Sequence, residues 1–457
     1  MPPAKRLLQS RPILLIAFAF AVMGDPVSSV AYAIEAALRA LHGRLGLLMP
    51  TMLVVIAIIA LVIVNYHRLV ARFPGGGDAA AAGTAFGEGW AFLPLGALIV
   101  DYALTIAISC SAATSALIAY LPGIAAARLP VAIAMCLLVA ALTWFGHGGR
   151  TLFALMTLSF VAIGSVVIGW GLVDPAGHAH APLHPHGSSG SGLAAVILAF
   201  PVAMALATGV EAPSSAVAQL GQLDRVGKVR FGQITLWLTL GIVGWLTLGL
   251  TALAVRLRVG LPPGDSTQIA QIARAAVGNG PLFAAFQLTS AVLLLAAASS
   301  SFQAGPGLLK ALARRPGGGG ILPAPLARAN THHTPYWSVV VFLLASVCII
   351  LAGGGHEQEL VLFYAVAVFV SFTFGLLSMS RFSHLEGRRL LLAVNVVSLG
   401  AVLLTLAVNL RRGYPLASLA AAGLVAAALH TLWTRAGRPG GVSEAERIAE
   451  EELATPT

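Results

Sequence analysis

Long apolar runs, separated by short polar connections, dominate the chain from Arg11 to Trp433. A helix that spans a membrane needs about 20 predominantly apolar residues, and runs of this length recur throughout that range. The pattern predicts an all-α polytopic membrane protein with twelve spans, whose ends are good to about four residues. The spans are 12–40, 46–66, 90–121, 129–146, 151–173, 191–220, 232–256, 282–310, 337–353, 359–380, 389–410 and 414–434.

Polar breaks interrupt the first and the sixth of these spans. The run from Gly24 to Ser29 holds an aspartate, a proline and two serines, so regular backbone hydrogen bonding should fail there. The run from Ala207 to Ser215 has the same character and lies five spans later. Paired breaks at corresponding positions indicate a transporter built from inverted repeats, with its site at the breaks. We therefore expect a LeuT-like arrangement of five plus five helices.

Composition agrees with a membrane protein and removes one competing class. Hydrophobic residues make up 58% of the chain and charged residues only 10%, against roughly 25% charged in a soluble domain. The formal charge of +10 is high enough for nucleic acid binding, but the basic residues sit in short loops beside helix ends. We expect the lipid bilayer, and no nucleic acid, as a partner.

The basic residues also predict the orientation, because they concentrate in cytoplasmic loops. Numbering the loops alternately from a cytoplasmic N-terminus leaves 19 of the 27 Lys and Arg inside, so both termini are predicted to be cytoplasmic. The chain then comprises a cytoplasmic N-terminus (1–11), a membrane domain (12–436) and a short acidic cytoplasmic tail (437–457) that we expect to be solvated. The residues placed outside are Arg39, Arg44, Arg128, Arg256, Arg258, Arg274, Arg411 and Arg412.

Four acidic residues lie within the spans: Asp25, Glu35, Asp101 and Glu211. Ionisable groups inside a bilayer are costly, and they mark substrate or proton pathways when they occur. No lysine or arginine lies near the middle of a span, so protons or bound cations should balance these charges. Each acid could instead be a structural group hydrogen-bonded inside the bundle. This alternative is strongest for Glu35, which lies near an outer helix end.

The third span adds two hydroxyl groups in register with its acid. Asp101, Thr105 and Ser109 are spaced at i, i+4 and i+8, so they share one face of a helix. Serine and threonine in membrane helices often bond only to their own backbone. Thr105 and Ser109 are therefore candidate ligands only because they lie in register with Asp101.

Motifs of other protein classes are weak. His178, His180, His184 and His186 crowd a predicted outer loop, and such spacing can hold a metal ion weakly. A flexible loop without metal is the favoured interpretation. The chain has no paired nucleophile and base, phosphate-binding loop or tight metal motif, so it is not predicted to be an enzyme.

Four blocks of sequence resemble the amino acid, polyamine and organocation (APC) superfamily and, within it, the KUP-type bacterial potassium uptake permeases. Taken together they are specific, and the resemblance covers nearly the whole membrane domain. One departure is Asp78, which follows three glycines where a fourth is common. The blocks are Asp25 to Tyr32; Phe73 to Gly77 with Val100 to Thr105; Leu206 to Ala212; and Leu362 to Phe369 followed by Ser371 to Thr373.

The resemblance implies a potassium site and a bacterial inner-membrane location. No cofactor is implied beyond the transported potassium ion and protons, and a homodimer stays open. The implied ion ligands are Asp25 and Tyr32 on the first helix, Asp101, Thr105 and Ser109 on the third, Thr208 and Glu211 on the sixth, and Tyr364 on the tenth.

Three carboxylates around one potassium ion cannot all be charged. Two like charges about 5 Å apart repel by roughly 3 kcal/mol at an effective dielectric constant near 20. We therefore expect proton-coupled potassium uptake by alternating access, with Glu211, Asp25 and Asp101 as candidates for the coupling proton. The alternative is a proton-coupled amino acid or amine permease, although Asp25 at the first break would repel a substrate carboxylate. An ion channel or a purely structural membrane protein is favoured less than either carrier, and a membrane enzyme less still.

Overall fold

The computed structural model describes residues 11–145, 150–177, 192–314, 320–413 and 415–454, apart from the side chains of Arg150, Tyr364, Ala365 and Ala454. The histidine-rich loop lies outside these residues. The described helices are α1 (Arg11–Val22), α2 (Gly24–Ser28), α3 (Val30–Ala40), α4 (Leu48–Arg72), α5 (Gly77–Phe86), α6 (Phe92–Tyr120), α7 (Arg128–Trp144), α8 (Arg150–Val173), α9 (Gly192–Ala203), α10 (Ala212–Ala216), α11 (Arg225–Arg256), α12 (Gln268–Val277), α13 (Pro281–Ala313), α14 (Tyr336–Ala352), α15 (Glu357–Leu385), α16 (Arg389–Leu410), α17 (Pro415–Arg435) and α18 (Ala445–Ala454).

The twelve predicted spans are all found in the described part of the chain. Ten helical stretches are long and apolar enough to cross a membrane, and α1 and α14 are shorter apolar helices. Helix α1 continues through α2 and α3, which together make the first predicted span. The remaining helices α5, α12 and α18 are short connections or lie in the tail.

The first span is interrupted without being unwound. Met23 separates α1 from α2, and Ser29 separates α2 from α3. Pro26 cannot donate a backbone hydrogen bond, but the amide of Val27 still reaches the carbonyl of Met23 at 3.0 Å. The Ser28 hydroxyl donates to the Asp25 carbonyl at 2.7 Å. These bonds keep the chain close to helical, so this break is milder than the sequence pattern indicates.

The sixth span is broken more fully. Helix α9 ends at Ala203, a 3-10 turn covers Met204–Ala207, and α10 begins only at Ala212. Thr208 is extended, with φ −66° and ψ 138°, and Gly209 has a positive φ of 75°. A positive φ is cheap only for glycine. The backbone therefore leaves the helix at the point that the polar run predicts.

Helix α6 lies at the centre of the bundle and packs against α13, α15 and α17. Small residues let the backbones approach closely, as in other membrane helix pairs. At Gly96 a side chain would come within 2.8 Å of the Ala422 carbonyl oxygen of α17. This packing fixes the helix that carries Asp101.

The acidic tail is folded, so the expectation that it is solvated is wrong for residues 442–454. Helix α18 packs against α13, and Val442, Ala445 and Ala449 are buried at 1%, 3% and 4% exposure. Ala449 faces Gly307 of α13 at 3.8 Å from an ideal Cβ position there. The buried face of α18 consists of small alanine side chains packed against a glycine. A prediction based on the number of large apolar residues does not detect such a face.

Candidate functional site

A cavity of about 580 Å³ lies where the two interrupted spans meet α6. Asp25 of α2, Asp101 of α6 and Glu211, which precedes α10, all line it. The structure therefore brings together three of the predicted site residues, which we name the acid triad. The cavity extends to the ends of α13 and α18, where Lys310 and Leu453 line it.

The two interrupted spans touch at the first acid of the triad. An ideal Cβ atom on Gly209 would lie 2.7 Å from Asp25 Oδ2 and 2.9 Å from the Pro26 ring. Only a residue without a side chain fits at this distance, and the positive φ of Gly209 makes the same demand. The break in the sixth span therefore sets the position of Asp25.

Each acid of the triad has an oxygen without a hydrogen-bond partner among the described residues. These atoms are Asp25 Oδ1, Asp101 Oδ1 and Glu211 Oε2, and all three are inaccessible to solvent. A buried carboxylate without a partner is strongly disfavoured unless it takes up a proton or binds a cation. The geometry thus leaves room in the triad for protons and a positively charged substrate.

The four predicted hydroxyl ligands whose side chains are described are buried but do not line this cavity. Tyr32, Thr105, Ser109 and Thr208 are at most 2% exposed. The Tyr32 hydroxyl lies 2.8 Å from the Ser29 hydroxyl. Thr208 Oγ1 donates to the carbonyl of Ala205 at 3.0 Å.

The positions of Thr105 and Ser109 along α6 partly explain why they do not line the cavity. Thr105 and Ser109 lie one and two turns beyond Asp101, which is about 6 Å and 12 Å further along the helix. The predicted ligand Tyr364 lies on α15, but its side chain is outside the described residues. Of the seven predicted site residues whose side chains are described, the three acids alone are placed on the cavity wall.

A buried network closes the opposite end of the bundle. Arg128 at the start of α7 donates to Ser115 Oγ at 2.5 Å and to the Gly264 carbonyl at 2.9 Å. Ser115 bonds Glu357 of α15 at 2.5 Å, and the guanidinium lies 3.9 Å from the Glu357 carboxylate. Sequence reasoning missed this network, since its members come from distant parts of the chain and each is ordinary at a helix end.

Glu35 belongs to the same closed end and not to the cavity. Arg39 pairs with its carboxylate at 2.8 Å, and the backbone amide of Gln268 donates to Glu35 Oε2 at 2.9 Å. Its side chain is 1% exposed. The structural role considered for this acid therefore agrees with its contacts.

A further buried acid, Asp78, lies on α5, at the end of the bundle opposite the Arg128 network. The hydroxyls of Tyr66 and Ser371 donate to Asp78 Oδ2 at 2.5 Å and 2.8 Å. Burial raises the pKa of this carboxyl to about 7, against the opposing effect of the two hydrogen bonds. The aspartate after three glycines was visible in the sequence, but its partners were not.

The fold and the cavity define a membrane transporter. Its described residues form ten helical stretches long enough to cross a membrane and two shorter apolar helices, and the two interrupted spans meet at a cluster of buried acids. The family model "amino acid permease" matches residues 13–429. The chain belongs to this family, which is part of the APC superfamily, and it is not an enzyme.

One relative is the potassium transporter KimA of Bacillus subtilis, which is 28% identical over 372 residues. The match covers 76% of this chain and 58% of the relative, so this chain spans little more than half of that protein's length. This relative agrees with the resemblance to the KUP-type permeases.

Solved structures of similar architecture include variants of the manganese transporter of Eremococcus coleocola. One has a TM-score of 0.49 at 13% identity and covers 94% of this chain and 95% of that chain. The same transporter with a bis-isothiourea compound has a TM-score of 0.46 at 12% identity, covering 93% and 97%. Within the described residues, no group of three or more His, Cys, Asp or Glu side chains is arranged to hold a metal ion.

Proposed function

We propose that this protein is a proton-coupled potassium uptake transporter that works by alternating access. The observation that carries the proposal is the acid triad, whose unpartnered oxygens lie in one cavity at the crossing of the interrupted spans. Carboxylate and backbone carbonyl oxygens suit a dehydrated alkali cation. The similarity to KimA, a potassium transporter, supports the choice of ion.

The triad also supports coupling to protons. Three carboxylates close to one monovalent ion leave excess negative charge, and their mutual repulsion favours protonation of at least one of them. Asp25 and Asp101 hold the ion in this proposal, and Glu211 carries the coupling proton. Potassium then enters with a proton, and release of either weakens the binding of the other.

The family also contains carriers of amino acids, which makes an amino acid or amine the competing substrate class. An α-amino acid would bring its own carboxylate towards Asp25, whose Oδ1 atom has no hydrogen-bond donor in the part of the chain that the structure describes. That contact would be repulsive. An amine without a carboxylate is the more serious competitor, because its charge matches that of potassium.

The proposed cycle follows from which end of the bundle the cavity extends to. The cavity runs from the triad towards the face at which α18 lies, here named the tail face. The Arg128 network closes the opposite face. With the tail face in the cytoplasm of a bacterial cell, this conformation faces inward, and opening of the network admits the ion from outside.

The experiment is potassium uptake into proteoliposomes by the wild type, Asp101→Asn and Asp265→Asn. Asp101→Asn removes one charge of the triad and should reduce uptake by about tenfold or more. Asp265→Asn is the matched control, because Asp265 is exposed and does not line the cavity. Equal uptake by Asp101→Asn and the control would contradict the role of the triad. Inhibition by small amines but no potassium uptake would transfer the assignment to the amine class.

A further inference from the structure

The folded tail forms part of the cavity that holds the acid triad. Glu446, Ala449, Glu450, Glu452 and Leu453 of α18 all line it. Leu453 is 40% exposed, so the tail lies between the interior of the cavity and solvent.

The start of the tail is fixed by one carboxylate. Glu88, just before α6, accepts hydrogen bonds from the backbone amides of Gly441 and Ser443 at 3.1 Å and 3.0 Å. It also accepts one from the Ser443 hydroxyl at 3.1 Å. Three bonds to a single charged group hold the entry of α18 at the tail face.

The helix itself is attached to two different parts of the transporter. Glu452 pairs with Lys310 of α13 at 2.6 Å. On the other side, Glu450 accepts a hydrogen bond from Gln219 at the end of the sixth span, and Glu446 is hydrogen-bonded by Ser215 of α10. Helix α18 therefore ties the sixth span to α13.

Close packing shows that this attachment is specific. The Glu446 carboxylate lies directly against Gly77 at the start of α5, where any added Cβ atom would collide with it. Gly77 has a positive φ of 57°, so its backbone conformation also favours glycine. The last glycine of the three-glycine run thus makes the surface against which Glu446 of the tail packs.

Transporters of inverted repeats alternate by moving one group of helices against another. The broken sixth span contributes Glu211 to the cavity, whereas α13 forms a different wall. A helix bonded to both must release at least one of them before the cavity can widen towards the tail face.

We propose that α18 is a latch: while docked, it holds the sixth span to α13 and restricts passage between the acid triad and the tail face. The Lys310–Glu452 pair is its releasable end, because Glu452 is about one-third exposed. The latch would restrict whatever substrate the cavity carries, so only its effect on potassium flux rests on the proposed function.

The test measures access to the cavity without any transported ion. Ser300→Cys places a reporter on the cavity wall, ten residues before Lys310 and so about 15 Å deeper along α13. It is made in a chain whose native cysteines Cys110, Cys136 and Cys348 are replaced by alanine. A membrane-impermeant thiol reagent is applied to the tail face in oriented vesicles, and the rate of labelling is followed by mass spectrometry.

Three variants are compared in this background. Lys310→Glu places two carboxylates together and should accelerate labelling by about tenfold. The double variant Lys310→Glu with Glu452→Lys restores the attraction in reverse and should return the rate towards that of the parent. Arg314→Glu, an exposed charge reversal at the same helix end, should leave the rate unchanged.

Two outcomes would overturn the latch. Equal labelling of Lys310→Glu and the parent would mean that α18 does not restrict access. Labelling of the charge-swapped double variant as fast as the single variant would mean that the ion pair is not what holds it. Latch-dependent labelling in a protein that does not transport potassium would instead refute the proposed function and leave the latch standing.

Discussion

At the scale of single residues, the site depends on a contact that only glycine permits. Gly209 has a positive φ, and a side chain there would collide with Asp25. We predict that Gly209→Ala lowers the free energy of unfolding by about 1–3 kcal/mol and abolishes uptake, because Asp25 is displaced. Thermal unfolding in detergent, followed by tryptophan fluorescence, measures the first effect.

Gly241→Ala is the control for this substitution. Gly241 lies within α11 with nothing within 4 Å of an ideal Cβ atom. Alanine should be neutral there or stabilise the helix by up to about 1 kcal/mol. Equal stability and uptake in the Gly209→Ala and Gly241→Ala proteins would contradict the role given to the close contact.

Asp78 provides a pH-dependent test at the same scale. Burial raises the pKa of its carboxyl to about 7, above that of an unfolded chain at roughly 3.9. The folded protein therefore binds a proton that the unfolded chain releases, and the resulting stability is lost as pH rises through about 7. Asp78→Asn cannot ionise and should escape that loss.

The measurement is the unfolding temperature of wild type and Asp78→Asn between about pH 6 and pH 8.5. The difference between variant and wild type should grow in favour of the variant with rising pH. The exposed control Asp265→Asn should show no such trend. A difference for Asp78→Asn that stays constant with pH would mean that the carboxyl is already charged at the lower limit.

At the scale of helices, Arg128 and Glu357 join α7 to α15 and close the face opposite the tail. Removing one partner of a buried ion pair costs about 3–5 kcal/mol because the other charge is left unpaired. We predict that Glu357→Gln favours the conformation open at that face. A cysteine at Ser111, which is buried on α6, should then react at least about tenfold faster with reagent from that side.

Glu359→Gln is the matched control, because Glu359 lies on the same helix and is exposed. It should leave the reactivity of the reporter unchanged. If both substitutions had the same effect, closure of this face would not depend on the Arg128–Glu357 pair.

The helices differ in how well the sequence predicted them. Spans are encoded by long apolar runs, so hydropathy predicted the ten long helical stretches and the two shorter apolar helices, α1 and α14. The break in the sixth span was also visible, because Gly209 and Pro213 interrupt it. The first break is milder than its residues indicate, since serine hydroxyls and continued backbone bonds support the helix around Pro26.

The tail is more ordered than its composition predicts. Composition predicted a solvated segment, because the sequence from 437 to 457 has few large apolar residues. Docking instead depends on Ala445 and Ala449, on Glu88 and on the glycine surface at Gly77. These residues lie in distant parts of the chain, so docking of the tail could not be predicted without knowing which of them are neighbours in the fold.

At the scale of the whole molecule, the sequence singled out the three acids that line the cavity, but the boundaries of the cavity could not be predicted. Buried charge in a membrane is costly enough to identify Asp25, Asp101 and Glu211 from the sequence. The assignment of Tyr32, Thr105, Ser109, Thr208 and Tyr364 as ligands rested on family resemblance and remains a prediction. Which end of the bundle is closed depends on contacts between helices far apart in sequence.

The closed network at one face and the cavity at the other give the molecule the asymmetry that alternating access requires. Both interrupted spans contribute to the cavity, so their movement changes the surroundings of the triad acids directly. If the proposed function holds, coupling between proton and potassium is a property of the whole bundle, because opening either face alters the charge balance at one site.

The most direct test of the account follows the pH inside proteoliposomes that contain a trapped pH-sensitive dye when potassium is added outside. Proton-coupled uptake predicts acidification of the interior that requires potassium and is lost in Glu211→Gln. A carrier of potassium alone would make the interior positive, drive protons out and raise the internal pH. Potassium-dependent alkalinisation, or acidification caused by amines but not by potassium, would contradict the central claim.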